Sequence, residues 1–167
     1  MQVIEKFIDT EIEPDMIVEN VEVIYSDSAR LQMKMITPLL KSFDSAREKR
    51  DEYPKGLQVS LYEKNGELSA EIKANWAKYD KNEELWEAQY NVVLINAEGQ
   101  KLETEQIFWD TKKAVIYTDK YTKMTDTKTG NISSGESFWA TQDFNEYKLF
   151  NRTGVGRTTI YMKDEED

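Results

Sequence analysis

Apolar and polar residues alternate along most of this chain with a period of two, the pattern of strands that bury one face. Leu57, Val59 and Leu61 alternate with Gln58, Ser60 and Tyr62. Lys64-Asn65-Gly66 then supplies a turn, and Leu68, Ala70, Ile72, Ala74 and Trp76 share one face of a returning strand. From Leu85 to Asn96, Trp86, Ala88, Tyr90, Val92 and Leu94 fall on one parity against Glu87, Gln89 and Asn91. A strand of that length spans roughly 35–40 Å. Leu102 to Trp109, the turn Asp110-Thr111-Lys112-Lys113 and the run Ala114 to Met124 predict a hairpin of two long strands. Parity slips inside it, because Leu102 and Thr104 point one way while Ile107 and Trp109 point the other, which predicts a β-bulge near Glu105.

The flanks read in the same way. Val21 to Tyr25 is a strand, Ser26-Asp27-Ser28 a turn, and Leu31, Met33 and Met35 mark a half-buried strand that Pro38 is expected to end. Ser45 to Glu52 is almost wholly charged and predicts a solvated connector of one or two helical turns. Phe138 to Ala140, Tyr147 to Asn151 and Thr158 to Met162 complete the strands, with a joint at Gly154 and Gly156 and an acidic tail. The fold class is therefore all-β. Residues 1–20 read as a loosely attached lead-in, 21–151 as the folded domain, and 152–167 as a terminal strand and tail.

The pattern repeats. Gly66, Gly99 and Gly130 are 33 and 31 residues apart, and Tyr79-Asp80, Trp109-Asp110 and Gln142-Asp143 follow at spacings of 30 and 33. Periods of this size indicate stacked supersecondary units.

Composition narrows the chemistry. The 167 residues fit one domain, and 4 Trp, 9 Tyr and 6 Phe argue for a folded chain despite 32% charged residues. A net charge of −10 repels phosphate backbones, so no nucleic-acid partner is expected. With no cysteine there is no disulfide framework or thiolate metal site. With no histidine the commonest general base and metal ligand are missing, which removes Ser-His-Asp and Cys-His catalysis. No apolar run of about 18 residues is present, and the start of the chain lacks signal-peptide character. Asp80, Asp110 and Asp143 are the candidates for a carboxylate-pair glycosidase, but each follows a strand end, where an aspartate caps a turn. No catalytic residue, metal site or cofactor is assigned, and the chain is read as a protein that is not an enzyme.

Surface remains. No amphipathic helix covers the apolar strand faces, so the sheet must fold onto itself. If the faces meet fully, the inward residues are core; if they stay splayed, the same residues line an apolar groove. A second reading is a β-sandwich carbohydrate-binding or adhesion module, in which Trp76, Trp86, Trp109 and Trp139 present indole faces to sugars.

Four segments carry a family resemblance: GELSAEIKANWAKYD, ELWEAQYNVVLINAEGQKLETEQIFWD, AVIYTDKYTKMTD and ISSGESFWATQDFNEYKLFN. Their sharpest pieces are Leu102-x-Thr104-x-x-Ile107-x-Trp109-Asp110, Tyr117-Thr118-Asp119 and Gly135-x-x-Phe138-x-Ala140. Over Val21 to Asn151 the chain resembles the LptC family of lipopolysaccharide export, and more loosely its LptA and OstA-like relatives. Ser45 to Glu52 and the segment from Thr158 onward depart from the pattern. The resemblance implies a periplasmic, twisted β-jelly roll with an open apolar groove, and an inner-membrane anchor ahead of the lead-in. It also implies a non-enzymatic carrier that takes lipopolysaccharide from the inner-membrane ABC transporter and passes it to an LptA-like periplasmic protein. Strand parity and the family pattern together make Ile72, Tyr90, Val92, Leu94, Leu102, Ile116, Phe138 and Leu149 the expected lipid-binding residues. The expected partner edges are Val21, Val23 and Tyr25 on the early side and Gly135, Tyr147, Leu149 and Asn151 on the late side, with the late edge facing the LptA-like protein. The alternative is that Thr158 to Met162 folds back and seals the late edge.

Overall fold

The computed structural model describes residues 12–27, 30–45, 47–142, 144, 146–151 and 158–162. Asp143, the joint at Gly154 and Gly156, the acidic tail and the first residues of the lead-in lie outside the described residues. The described chain is all-β, with β1 (Met16–Asp27), β2 (Arg30–Asp44), β3 (Lys49–Tyr53), β4 (Leu57–Tyr62), β5 (Leu68–Ala74), β6 (Trp76–Asp80) and β7 (Leu85–Asn96). It continues through β8 (Gln100–Asp110), β9 (Val115–Thr118), β10 (Thr122–Asp126), β11 (Ile132–Gly135), β12 (Ser137–Thr141), β13 (Glu146–Phe150) and β14 (Thr158–Met162). All pair antiparallel in one sheet.

The strands are rungs of a single meander, and most rungs break at the same height. β3 and β4 both pair with β2, β6 pairs with β3, and β5 pairs with β4. Both β6 and β5 then pair with the continuous β7. In the same manner β9 and β10 pair with opposite ends of β8, and β12 and β11 pair with β9 and β10 in turn. The breaks form a seam across the sheet: Asn20 with φ 52°, Pro38, the turn at 54–56, Asn75, Tyr90 and Asn91 with φ 65° and 52°, Glu105, residues 119–121 and Glu136. Along this seam the sheet folds over, so that its two halves face each other in a jelly-roll arrangement, as a sheet with no covering helix among the described residues requires.

Local chemistry permits the seam. Pro38 does not end β2 as its missing N–H suggested. It falls between Ile36, which pairs with β4, and Lys41, which pairs with β3, so no inter-strand donor is lost. Gly56 has φ 88°, and a Cβ there would lie 2.4 Å from the Ala74 carbonyl oxygen, so only glycine fits. Backbone groups released by the breaks are met by buried threonines: Thr37 Oγ1 donates to the Gly56 carbonyl (2.8 Å), Thr104 Oγ1 to that of Tyr121 (3.0 Å), and Thr122 Oγ1 to that of Lys120 (3.1 Å). A bulge is present opposite Glu105, but its extra residue lies on β7 and not, as expected, on the Leu102–Trp109 strand. β7 inserts Tyr90 and Asn91 opposite Glu105, and register resumes at Val92 against Thr104.

Two other expectations change. Lys49 to Glu52 is strand, not helical turn, because β2 and β6 flank it and Arg50 lies over the Phe43 ring at 4.1 Å between Glu48 and Glu52. The second strand of the central hairpin is interrupted at the seam, giving β9 and β10. Among the described residues, which exclude Asp143, the repeat is visible in its turns. Gly66, Gly99 and Gly130, with φ 88°, 86° and 78°, sit in turns at the free end of one half, while Asp80 and Asp110 open turns at the free end of the other. One period is a rung out and a rung back.

Candidate functional site: a groove between the half-sheets

The inner faces are built by two registered ladders. In one half Val23, Met35, Val59, Ile72, Leu94, Leu102 and Met124 follow one another across seven rungs. In the other, Tyr79, Trp86, Trp109, Ile116, Ala140 and Tyr147 do so. Period-two alternation places each residue inward, and antiparallel register aligns them into a continuous apolar wall.

Among the described residues, two cavities lie between the walls. A larger one of about 400 Å³ opens where the half-sheets splay apart at the ends remote from the seam. Leu61, Ala70, Ile72 and Leu94 form one side, and Trp109, Ile116 and Phe144 the other, with Glu63, Asn96, Glu98 and Gln142 in its polar lining. A smaller one of about 60 Å³ lies nearer the seam and is lined by Met33, Met35, Leu57 and Val59 opposite Ala77, Trp86, Ala88 and Ile107. Ile72 and Trp109 line both.

The eight expected lipid-binding residues divide three ways. Ile72, Leu94 and Ile116 line the open cavity. Val92, Leu102, Phe138 and Leu149 are each 1% exposed and packed into a solid cluster. Tyr90 is 56% exposed, against expectation, because it sits in the bulge with a left-handed backbone that turns its side chain out, while Ala88 and Val92 on either side keep the inward parity. Met33, Met35, Ala77 and Ala88 are not among the expected lining residues, and Trp109 is singled out for sugar stacking and the family pattern but not for the groove. Their signal was present as alternation, but a small inward alanine shows as cavity lining only once the facing strand is known.

The polar surroundings are quiet. Ser42 Oγ donates to Asp51 Oδ1 (2.6 Å), and Lys81 Nζ lies 3.3 Å from both, closing one corner of the fold. Burial, with the Asp51 carboxylate second, pushes the Tyr53 phenol well above its ordinary range. Burial also raises Tyr79, followed by Glu84, Asp51 and Asp80. Both phenols are thus held neutral. Asp80 accepts from the Asn82 and Glu83 amides, and Asp110 from that of Lys113, so these carboxylates are turn caps. The four indoles are half-buried; Trp86 stacks between Tyr53 and Tyr79 at 5.8 and 4.7 Å, and Trp139 lies under Lys148 Nζ at 5.2 Å. Among the described residues no group of carboxylates could hold a metal ion, and no helix is long and apolar enough to cross a membrane.

The edges differ from expectation on one side. β14 pairs with β13 in full register, so Tyr147, Leu149 and Phe150 do not form the outer strand. Gly135 is buried against Phe150, and Asn151 donates from its amide to the Ser134 carbonyl (3.3 Å), so these too are internal joints. On the early side β1 pairs only with β2 among the described strands, and along it Ile17, Ile24 and Tyr25 are each 57% exposed. Val21 and Val23 are half-buried on the inner face of the same strand.

A family model described as lipopolysaccharide-assembly, LptC-related, matches residues 4–140, more than half of the chain. The chain matches no curated protein.

Proposed function

The chain belongs to the LptC-related family of lipopolysaccharide assembly, which places it in lipopolysaccharide transport, and from that premise we propose that it is a non-enzymatic carrier that holds the acyl chains of lipopolysaccharide between its half-sheets. The observation that carries this reading is the pair of apolar cavities between two facing ladders, one of them open where the half-sheets part. Burying acyl chain stabilises a complex by about 0.8 kcal/mol per CH₂. A screened surface charge contact is worth at most about 1 kcal/mol. A net charge of −10 therefore does not oppose binding through the chains. In this reading the protein is anchored to the inner membrane, works in the periplasm, and relays lipid from the ABC transporter to an LptA-like protein. Strand addition to the unpaired side of β1, through Val21, Val23 and Tyr25, suits the transporter side. The LptA-like protein is met on the β14 side.

A photocrosslinking amino acid at Ile72 or Leu94, which line the open cavity, should capture lipopolysaccharide, whereas Gln89 and Lys123 on the outer face should not. Capture from the outer positions alone would sink the reading. Removing Thr158 to Asp167 bares β13 and should cause self-association or tighter binding of the LptA-like protein; unchanged behaviour would remove that side from the relay.

A further inference from the structure

Ile72 and Trp109 are the two residues common to the linings of both cavities, and so stand where one cavity meets the other. Ile72 comes from β5 in one half-sheet and Trp109 from the part of β8 in the other, so the two stand on opposite walls at that point. The indole is tied at its outer end, its Nε1–H donating to Gln142 Oε1 at 3.1 Å, and Gln142 is an exposed side chain in the turn after β12. The inner cavity, about 60 Å³ and bounded mainly by aliphatic and indole carbon, is several times smaller than the mouth cavity of about 400 Å³. It is too small to take an acyl chain as it stands. The mouth cavity, about 400 Å³, is not. Swinging the indole away from Ile72 would join the two and bring Met33, Met35, Ala77 and Ala88 within reach of a chain already lying in the mouth.

We propose that Trp109 is the gate of this groove, latched by Gln142, and that an acyl chain enters sideways through the mouth between the half-sheets. The proposal rests on the carrier reading and adds where the chain goes in and which residue admits it. Ile72 is the fixed jamb, because it packs against both apolar clusters. Gln142 is a positioning residue that acts only through Trp109. A gate raises the barrier in both directions, so loosening its latch speeds uptake and release together and leaves the equilibrium nearly unmoved. Loss of one neutral hydrogen bond corresponds to about a two- to tenfold change in the opening equilibrium.

The test uses the full chain and the apolar dye N-phenyl-1-naphthylamine, with uptake and release followed by stopped-flow fluorescence. Gln142→Ala should raise both rates about two- to tenfold while the dissociation constant stays within about twofold. Gln142→Glu, which keeps an acceptor oxygen, should restore the wild-type rates. Trp109→Ala should abolish the difference between Gln142 variants. Wild-type rates in Gln142→Ala, a change confined to the release rate, or no dye uptake by the wild type would each overturn the gate. Displacement of the dye by lipopolysaccharide is read separately. If the latch variants respond as expected but lipopolysaccharide does not displace the dye, the gate stands and the assignment of the cargo falls.

Discussion

The two ends of the groove share a sheet, a seam and an alternation, yet one is solid and the other hollow. Toward the later rungs Phe138, Leu149, Leu102 and Val92 meet with 1% exposure each, and Phe138 stacks on Phe144 at 6.4 Å between centroids and lies tilted against Tyr147 at 6.2 Å. Toward the earlier rungs Met33, Met35 and Val59 face Ala77 and Ala88, and the missing side-chain volume is the inner cavity. Backbone architecture therefore does not decide between core and binding groove. Side-chain volume at registered inward positions does, because interiors close only when facing residues fill the space to crystal-like density.

The largest test of that contrast is at the solid end. Phe138→Ala should cost about 3–5 kcal/mol in denaturant unfolding, since a fully buried ring leaves a cavity the surrounding ladder cannot close. A loss below about 1 kcal/mol would mean this end is as loose as the other. Next comes Gly135, where a Cβ would stand 3.0 Å from the Phe150 backbone nitrogen and oxygen and 3.1 Å from Leu149 Cβ. Gly135→Leu should destabilise by about 1–3 kcal/mol and lower lipid binding only in proportion. Binding lost with stability intact would instead give Gly135 a part in transfer.

At the hollow end the effect on stability is smaller and the effect on binding larger. Ala88→Leu fills a cavity of about 60 Å³ and should shift unfolding by no more than about 1.5 kcal/mol in either direction. It should also greatly weaken binding of an apolar dye. Undiminished dye binding would move the site away from the inner cavity. The smallest effect concerns Tyr53, whose phenol is held above its ordinary pKa by burial and by Asp51. Above the unfolded value of about 10 the unfolded chain releases a proton that the folded chain keeps. Stability is therefore complete below that value and falls as pH rises past it. Thermal melts between about pH 9 and 11 should show that fall, and Tyr53→Phe should make it shallower. Equal slopes would show that Tyr53 is not held in a dry environment.

Alternation alone determined the all-β class, most strand positions, the β7 bounds Leu85–Asn96, the parity slip at Glu105 and the two-rung repeat with its glycine and aspartate turns. These are local properties, fixed by period, turn chemistry and handedness within a few residues. Tertiary structure decided the rest. Pro38 passes through β2 because its partners change there, Lys49 to Glu52 becomes strand because β2 and β6 flank it, and Tyr90 turns outward at a bulge that β8 imposes from across the ladder. β14 closes the late edge by a pairing that spans the segment between Phe150 and Thr158. Which inward residues are core and which line the groove depends on the half-sheet opposite, brought there by the fold at the seam. No period along the chain encodes the size of a side chain on a strand that far away.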